Sequence, residues 1–235
     1  MIDVTPLDAL GAFANDWLDT HHHFSFADYH DPARMGFGLL RVWNDDRIRP
    51  RTGFPMHPHR DMEIITYVRS GAITHEDNLG NRGRTEAGDV QVMSAGTGIV
   101  HAEMNMEDED TTLFQIWIIT DAPGHAPRWE TRKFPTEPRR GALVVLASGR
   151  PADADDPGAL MIHQDAAILG TTIAAGAEAV HELAAGRRAY AVPSRGAVEI
   201  NGTSVPARAG AAVSGEPRLI IRALEDAEVV VADLP

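Results

Sequence analysis

The apolar residues of this chain come in short runs cut apart by Gly, Asn, Asp and Pro, and few of them keep a helical period. In the first half the runs are Gly36 to Trp43, Ile64 to Val68, Ala72 to His75, Val90 to Met93 and Leu113 to Ile119. In the second half they are Ala142 to Leu146, Ile168 to Ile173, Tyr190 to Val192, Leu219 to Ala223 and Val229 to Ala232. Runs of this length, separated by turn residues, predict an all-β chain built as barrels or sandwiches. Leu7 to Leu18 is the one stretch with a helical reading. Asn44-Asp45-Asp46 is expected to end the first strand, and Asn78 to Gly83 to form a turn region. Asn201-Gly202, between extended runs, predicts a tight hairpin.

The two halves echo each other. Ser70-Gly71-Ala-Ile-Thr followed by Ala87-Gly88-Asp-Val matches Arg195-Gly196-Ala-Val-Glu followed by Ala209-Gly210-Ala-Ala. Each glycine is expected at a tight turn. The run Asp121 to Gly141, with Pro123, Pro127, Pro135 and Pro138, reads as a linker or crossover between the halves, and Arg150 to Gly158 as an acidic loop.

Chemistry concentrates in the first half. In a strand, alternate side chains share a face, so His57 and His59 point together, as do His101 and Glu103. Two such strands side by side would aim three imidazoles and a carboxylate at one point. That donor set suits Fe(II), Mn, Ni, Cu or Zn, and with no cysteine in the chain a thiolate site is excluded. Glu63, six residues after His57, has the same parity, so parity does not choose between Glu63 and Glu103. Its other reading is a carboxylate that orients a ligating imidazole. Pro58 cannot donate to a ladder and places the His-x-His segment at a strand start or a rim. In the second half, fourteen residues before Gly196 lies Glu182, beside a single His181. No i, i+2 ligand pair survives there, so metal is expected only in the first half. His21-His22-His23 is read as structural or solvated, since only His21 and His23 could cooperate.

The remaining composition sets bounds. Basic residues number 21 against 34 acidic, a net charge of −13, which disfavours direct binding to nucleic acid or an anionic membrane surface. There is no uncharged apolar run of membrane-spanning length and no secretory leader at the start, so a cytoplasmic location is expected.

The histidine-bearing segments resemble the cupin superfamily. Gly53, His57-Pro-His59, Glu63 and Gly71 match its first motif, and Gly88, Gly98, His101 and Asn105 its second, which lacks the usual proline and is longer here. Within the cupins the chain is similar to the pirins. That likeness rests on His57-Pro-His-Arg-Asp-Met-Glu63, His75-Glu-Asp-Asn-Leu-Gly-Asn81, Gly88 to Glu103 and the early Phe24-Ser-Phe-Ala-Asp-Tyr29. It is strong over residues 17–120 and weaker beyond.

The resemblance implies a bicupin of two antiparallel β-barrels with few short helices, residues 1–135 carrying the metal and 136–235 without one. It implies one divalent transition metal, Fe(II) first among those named, held by His57, His59, His101 and Glu103, with Glu63 outside that set. The activity it implies is a dioxygenase opening a flavonol ring of the quercetin type with O2, Glu103 (or Glu63, if free) taking the substrate proton. The alternative is a non-enzymatic metal-binding or redox-sensing factor that acts on a protein partner.

Overall fold

Turn residues set the strand lengths. The computed structural model describes residues 1–134 and 140–235, and among them helix is confined to two 3-10 turns, Leu7–Ala9 and Pro151–Asp153. The chain begins with β1 (Ile2–Thr5), β2 (Gly11–Ala14), β3 (Leu18–His22), β4 (Leu40–Ile48), β5 (Gly53–His59) and β6 (Met62–Ser70). Then come β7 (Ala72–Asp77), β8 (Arg82–Glu86), β9 (Val90–Ser94), β10 (Ile99–Met104), β11 (Thr111–Ile119) and β12 (Arg128–Arg132). The second half holds β13 (Val144–Ser148), β14 (Leu160–Met161), β15 (Ala167–Ile173), β16 (Glu178–Glu182) and β17 (Arg188–Arg195). It closes with β18 (Val198–Ile200), β19 (Thr203–Val205), β20 (Gly210–Ser214), β21 (Arg218–Ala223) and β22 (Ala227–Leu234).

The chain divides into two units that interleave in sequence. One comprises Gly11–Phe134 with Leu160–Gln164; the other comprises Met1–Leu10, the described part of 135–159 and Asp165–Pro235. In the first unit a seven-stranded sheet runs β12-β9-β6-β11-β4-β3-β2, with a four-stranded sheet of order β5-β10-β7-β8. Its core lies between the sheets: Leu18, Ile48, Val68 and Leu113 from the larger meet Ile73 from the smaller, with Phe54 packed against them.

The second unit repeats the order. Its larger sheet includes β1-β20-β17-β22-β15-β13 and its smaller is β16-β21-β18-β19, so β16 stands where β5 does and β21 where β10 does. Gly71 and Gly196 occupy the same turn with nearly the same backbone, φ 72° and 71°. The counterpart of Gly88 (φ 85°) is Arg208 (φ 65°) rather than Gly210, which already lies in β20. Where β10 carries His101 and Glu103, β21 carries Leu219 and Ile221, fully buried in an aliphatic cluster with Ala179, Val198 and Val229. The described partner of His181 is Asp233, at 2.8 Å.

Several local expectations need correction. Leu7 to Leu18 is not a helix: after the 3-10 turn, Gly11 starts a strand that hairpins back to β3. The first long strand begins at Leu40 and runs through Asn44-Asp45-Asp46, because all three side chains find buried places. Of the expected turn region Asn78 to Gly83, Arg82 and Gly83 already belong to β8, which pairs with β7. The proline-rich stretch contains β12, paired with β9, while its Pro135 and Pro138 lie outside the described residues. The Asn201-Gly202 hairpin forms as expected, both residues at positive φ (46° and 81°). Among the described residues no helix is long and apolar enough to cross a membrane.

Candidate metal centre

β5 is the edge strand of its sheet, so Pro58 withholds no N–H that an inner ladder needs. His57 lies directly opposite His101, and His59 opposite Ile99. Ring centroids are 4.7 Å apart for His57 and His59, 4.5 Å for His57 and His101, and 5.0 Å for His59 and His101. One nitrogen from each lies within 4.8 Å of the others. The pairing slips between His101 and Glu103, so that Glu103 faces Phe54 rather than Pro55. A bulge is tolerated there because Pro55 has no N–H to lose. The Pro55 carbonyl accepts from His57 Nδ1 at 2.7 Å, which puts the proton on Nδ1 and leaves the Nε2 lone pair available. Gly53 is required at this crossing: a Cβ would lie 2.3 Å from the Glu103 carbonyl oxygen.

Burial, reinforced by the neighbouring imidazoles, lowers His59 to about 4 and His101 to about 3. Both rings are therefore neutral at pH 7, the form that binds a cation. His101 Nε2 is buried without a hydrogen-bond partner. An orphaned acceptor beside two more imidazoles is expensive unless something electropositive meets it. These residues thus fit a divalent transition metal.

Glu103, 2 % exposed, is held by donors on both oxygens. Gln91 Nε2 (2.6 Å) and Thr66 Oγ1 (3.2 Å) donate to one, and Gln115 Nε2 to the other. The amides are themselves aimed: Thr85 Oγ1 donates to Gln91 Oε1 at 3.0 Å, and Trp117 Nε1 to Gln115 Oε1 at 3.2 Å. Glu103 also groups with His101 and His75, their ligand atoms within 4.8 Å. Glu63 stands elsewhere. The strand breaks at Asp61 (φ 47°), which moves Glu63 into β6 of the larger sheet. There it accepts from Ser94 Oγ at 2.7 Å, not from a ligand imidazole, and burial raises its pKa.

His57, His59 and Glu103 line a cavity of about 260 Å3. Its walls are alternate residues of neighbouring strands: Leu18, Thr20 and His22 on β3, Asn44 and Asp46 on β4, Gln115 and Trp117 on β11, with Phe26 and Phe54. Trp117 meets His59 edge-on at 5.0 Å and Phe26 at 5.4 Å. Burial pushes the Asp46 carboxyl up to about 7, Asp45 and Glu103 adding to the rise and the Thr20 hydroxyl opposing it. The reading of the three consecutive histidines changes accordingly. The middle one faces the cavity, His22 Nδ1 lying 2.9 Å from Asn44 Oδ1, while His21 points to the other side of the strand and His23, just past its end, is buried near Trp43. Alternation alone would have separated His22 from its neighbours; the missing signal was its register against Asn44. Tyr67 is fully buried against Phe114 and does not line the cavity.

Comparison with known proteins agrees with this architecture. Residues 5–118 match the family model Pirin, and 145–234 the model described as Quercetinase C-terminal cupin domain. A protein of Caulobacter vibrioides named Pirin-like protein is 57% identical over 99% of both chains. The Quercetin 2,3-dioxygenase of Escherichia coli K12 is 42% identical, covering 100% of this chain and 99% of that one. The crystal structure of the bacterial pirin YhhW from Escherichia coli, in complex with nickel(II), superposes with a TM-score of 0.92 at 41% identity, covering 100% and 99% of the two chains. With two cupin domains and relatives of this similarity along its whole length, the chain belongs to the pirin family.

Proposed function

We propose that this chain is a metal-dependent dioxygenase that opens a flavonol-like ring, with His57, His59, His101 and Glu103 holding one divalent transition metal. The observation that carries this reading is the juxtaposition of three imidazoles, with the Glu103 carboxylate beside His101, and a cavity walled in part by aromatic rings. Their imidazole and carboxylate donors suit Fe(II) first, with Mn, Ni, Cu or Zn as alternatives. When bound, such a metal supplies Lewis acidity toward an enol oxygen and a place for dioxygen to react.

The chain's own residues do the rest. Phe26, Phe54 and Trp117 offer flat apolar walls to a planar ring system, as binding sites in such folds do. His22, Asn44 and Asp46 add polar groups to the same lining and are placed to meet ring hydroxyls. Glu103, an acceptor for Gln91, Thr66 and Gln115, takes the proton of the substrate enol as general base. The overall change incorporates both atoms of O2 and expels one ring carbon as carbon monoxide. The site is assigned to the unit Gly11–Phe134, inside the expected metal-carrying domain of residues 1–135, with 136–235 free of metal.

The test is quercetin decay with stoichiometric oxygen uptake by protein loaded in turn with Fe(II), Mn, Ni and Cu. Decay clearly above the His57→Ala variant is expected. Absence of decay with all four metals would instead favour a non-enzymatic metal-binding factor with a protein partner.

A further inference from the structure

Two three-residue groups share His101, one with His57 and His59, the other with His75 and Glu103. Hydrogen bonding separates their roles. His75 is fully buried and both its nitrogens are engaged: Nε2 lies 3.0 Å from Asp77 Oδ2, and Nδ1 lies 3.3 Å from His101 Nδ1. On His101 the free nitrogen is Nε2. A contact between two Nδ1 atoms needs one proton, carried by one ring and accepted by the other. Asp77 decides which. Its carboxylate can only accept, so a singly protonated His75 carries its proton on Nε2 and presents a lone pair at Nδ1. His101 must then donate from Nδ1, which leaves its Nε2 as a lone pair facing His57 and His59.

We propose that His75 and Asp77 are positioning residues that set the tautomer and aim of His101, through a chain running from the Asp77 carboxylate to His75 Nε2, and from His75 Nδ1 to His101 Nδ1. This rests on the assignment of His101 as a metal ligand. Each link is held from outside. Asp77 Oδ1 accepts the backbone N–H groups of Leu79 and Asn81 at 2.9 and 3.0 Å, and Asn81 Nδ2 donates to Oδ2 at 2.9 Å. The His75 ring is stacked by Trp129, centroids 4.7 Å apart and planes 7° from parallel. Trp129 reaches it across Gly83, directly opposite His75 in the ladder, where a Cβ would lie 2.2 Å from the indole. In this assignment His75 orients His101 and is not itself a ligand, since binding a metal through Nδ1 would cost it the bond to His101.

The decisive variant is Asp77→Asn. The asparagine keeps its oxygen on Leu79 and Asn81 and turns an N–H toward His75 Nε2. His75 must then accept there and move its proton to Nδ1. His101 Nδ1 becomes an acceptor and Nε2 takes the proton, so the lone pair that faces the cluster is lost. Zinc affinity, measured by chelator competition, is expected to fall roughly ten- to a hundredfold. His75→Phe keeps a ring against Trp129 and removes the acceptor for His101 together with the donor to Asp77, but forces no proton onto His101 Nε2, so its loss is expected to be smaller than that of Asp77→Asn. A merely structural role predicts the reverse order, because the phenyl ring changes the buried shape more than an isosteric amide does.

In zinc-loaded wild-type protein with 15N-labelled histidine, NMR should find His101 protonated on Nδ1 and His75 on Nε2. An affinity loss below about fivefold for Asp77→Asn, a larger loss for His75→Phe, or a zinc-bound nitrogen on His75 would each overturn the proposal. His101→Ala is the control for the assignment beneath it. If that variant binds zinc like wild type, His101 is no ligand, whatever Asp77→Asn does.

Discussion

At the scale of single residues, the site is defined by which nitrogens and oxygens are left unsatisfied. Glu63→Gln should keep metal affinity, because Glu63 bonds Ser94 and stands apart from the imidazoles, whereas Glu103→Gln should weaken it by tenfold or more. Chelator competition on the two variants checks this, and retention in Glu103→Gln with loss in Glu63→Gln would reverse the assignment. Stability of the metal-free protein should depend on pH through the same cluster. His59 and His101 are lowered below the 6.5 of an unfolded imidazole, so between about pH 6.5 and 4 the unfolded chain binds more protons and stability falls as pH falls. The loss is on the order of 1–3 kcal/mol, with His59 discounted for its partial exposure. Asp46 works oppositely. Its carboxyl titrates near 7 in the folded state and near 3.8 unfolded, so stability falls as pH rises across that interval. Asp46→Asn should therefore stabilise the metal-free protein above pH 7, and His101→Gln should flatten the acid limb. Urea unfolding across this pH range reads both. His57, His59, His101 and Glu103 were legible as candidates because period-two alternation is local. Gln91, Gln115, Thr66 and His75 were not, because each matters only through a partner on another strand.

At the scale of elements, one bulge and one crossing shape the metal face. The slip opposite Pro55 aims His57 while Gly53 lets β10 pass close by. Gly53→Ala should cost about 1–3 kcal/mol of stability and lower metal affinity as well, since the added Cβ meets backbone that cannot swing aside. Thermal unfolding and metal titration of that variant check the pair of effects, and an unchanged midpoint would count against it. Strand existence was well marked by composition, but ends were not. Asn44-Asp45-Asp46 looks like a terminator, yet the register against β3 and β11 turns Asn44 and Asp46 into a cavity wall and pairs Asp45 with Arg69. Proline density likewise hid β12, whose Trp129 braces His75.

At the scale of the whole chain, the two units share a sheet order but divide the chemistry. Where the first places histidines and a glutamate, the second packs Leu219, Ile221 and Ala179, so elemental analysis should find one metal equivalent per chain and none assigned to the second unit. Two equivalents, one of them in that half, would refute this. The repeat was visible in Gly71 and Gly196, whereas the Gly88 match misaligned because Arg208 takes up the positive φ without a glycine. The pairing of β1 with β20 bears on how the chain is made. Ile2 sits opposite Val213, so β1 must wait during synthesis for a partner some two hundred residues later in the sequence. At ordinary translation rates that wait is roughly 10 to 40 s. During it the unit Gly11–Phe134 has nearly all of its strands in hand, while the segment ahead of it stays an unpaired ribbon exposed to chaperones and to wrong partners.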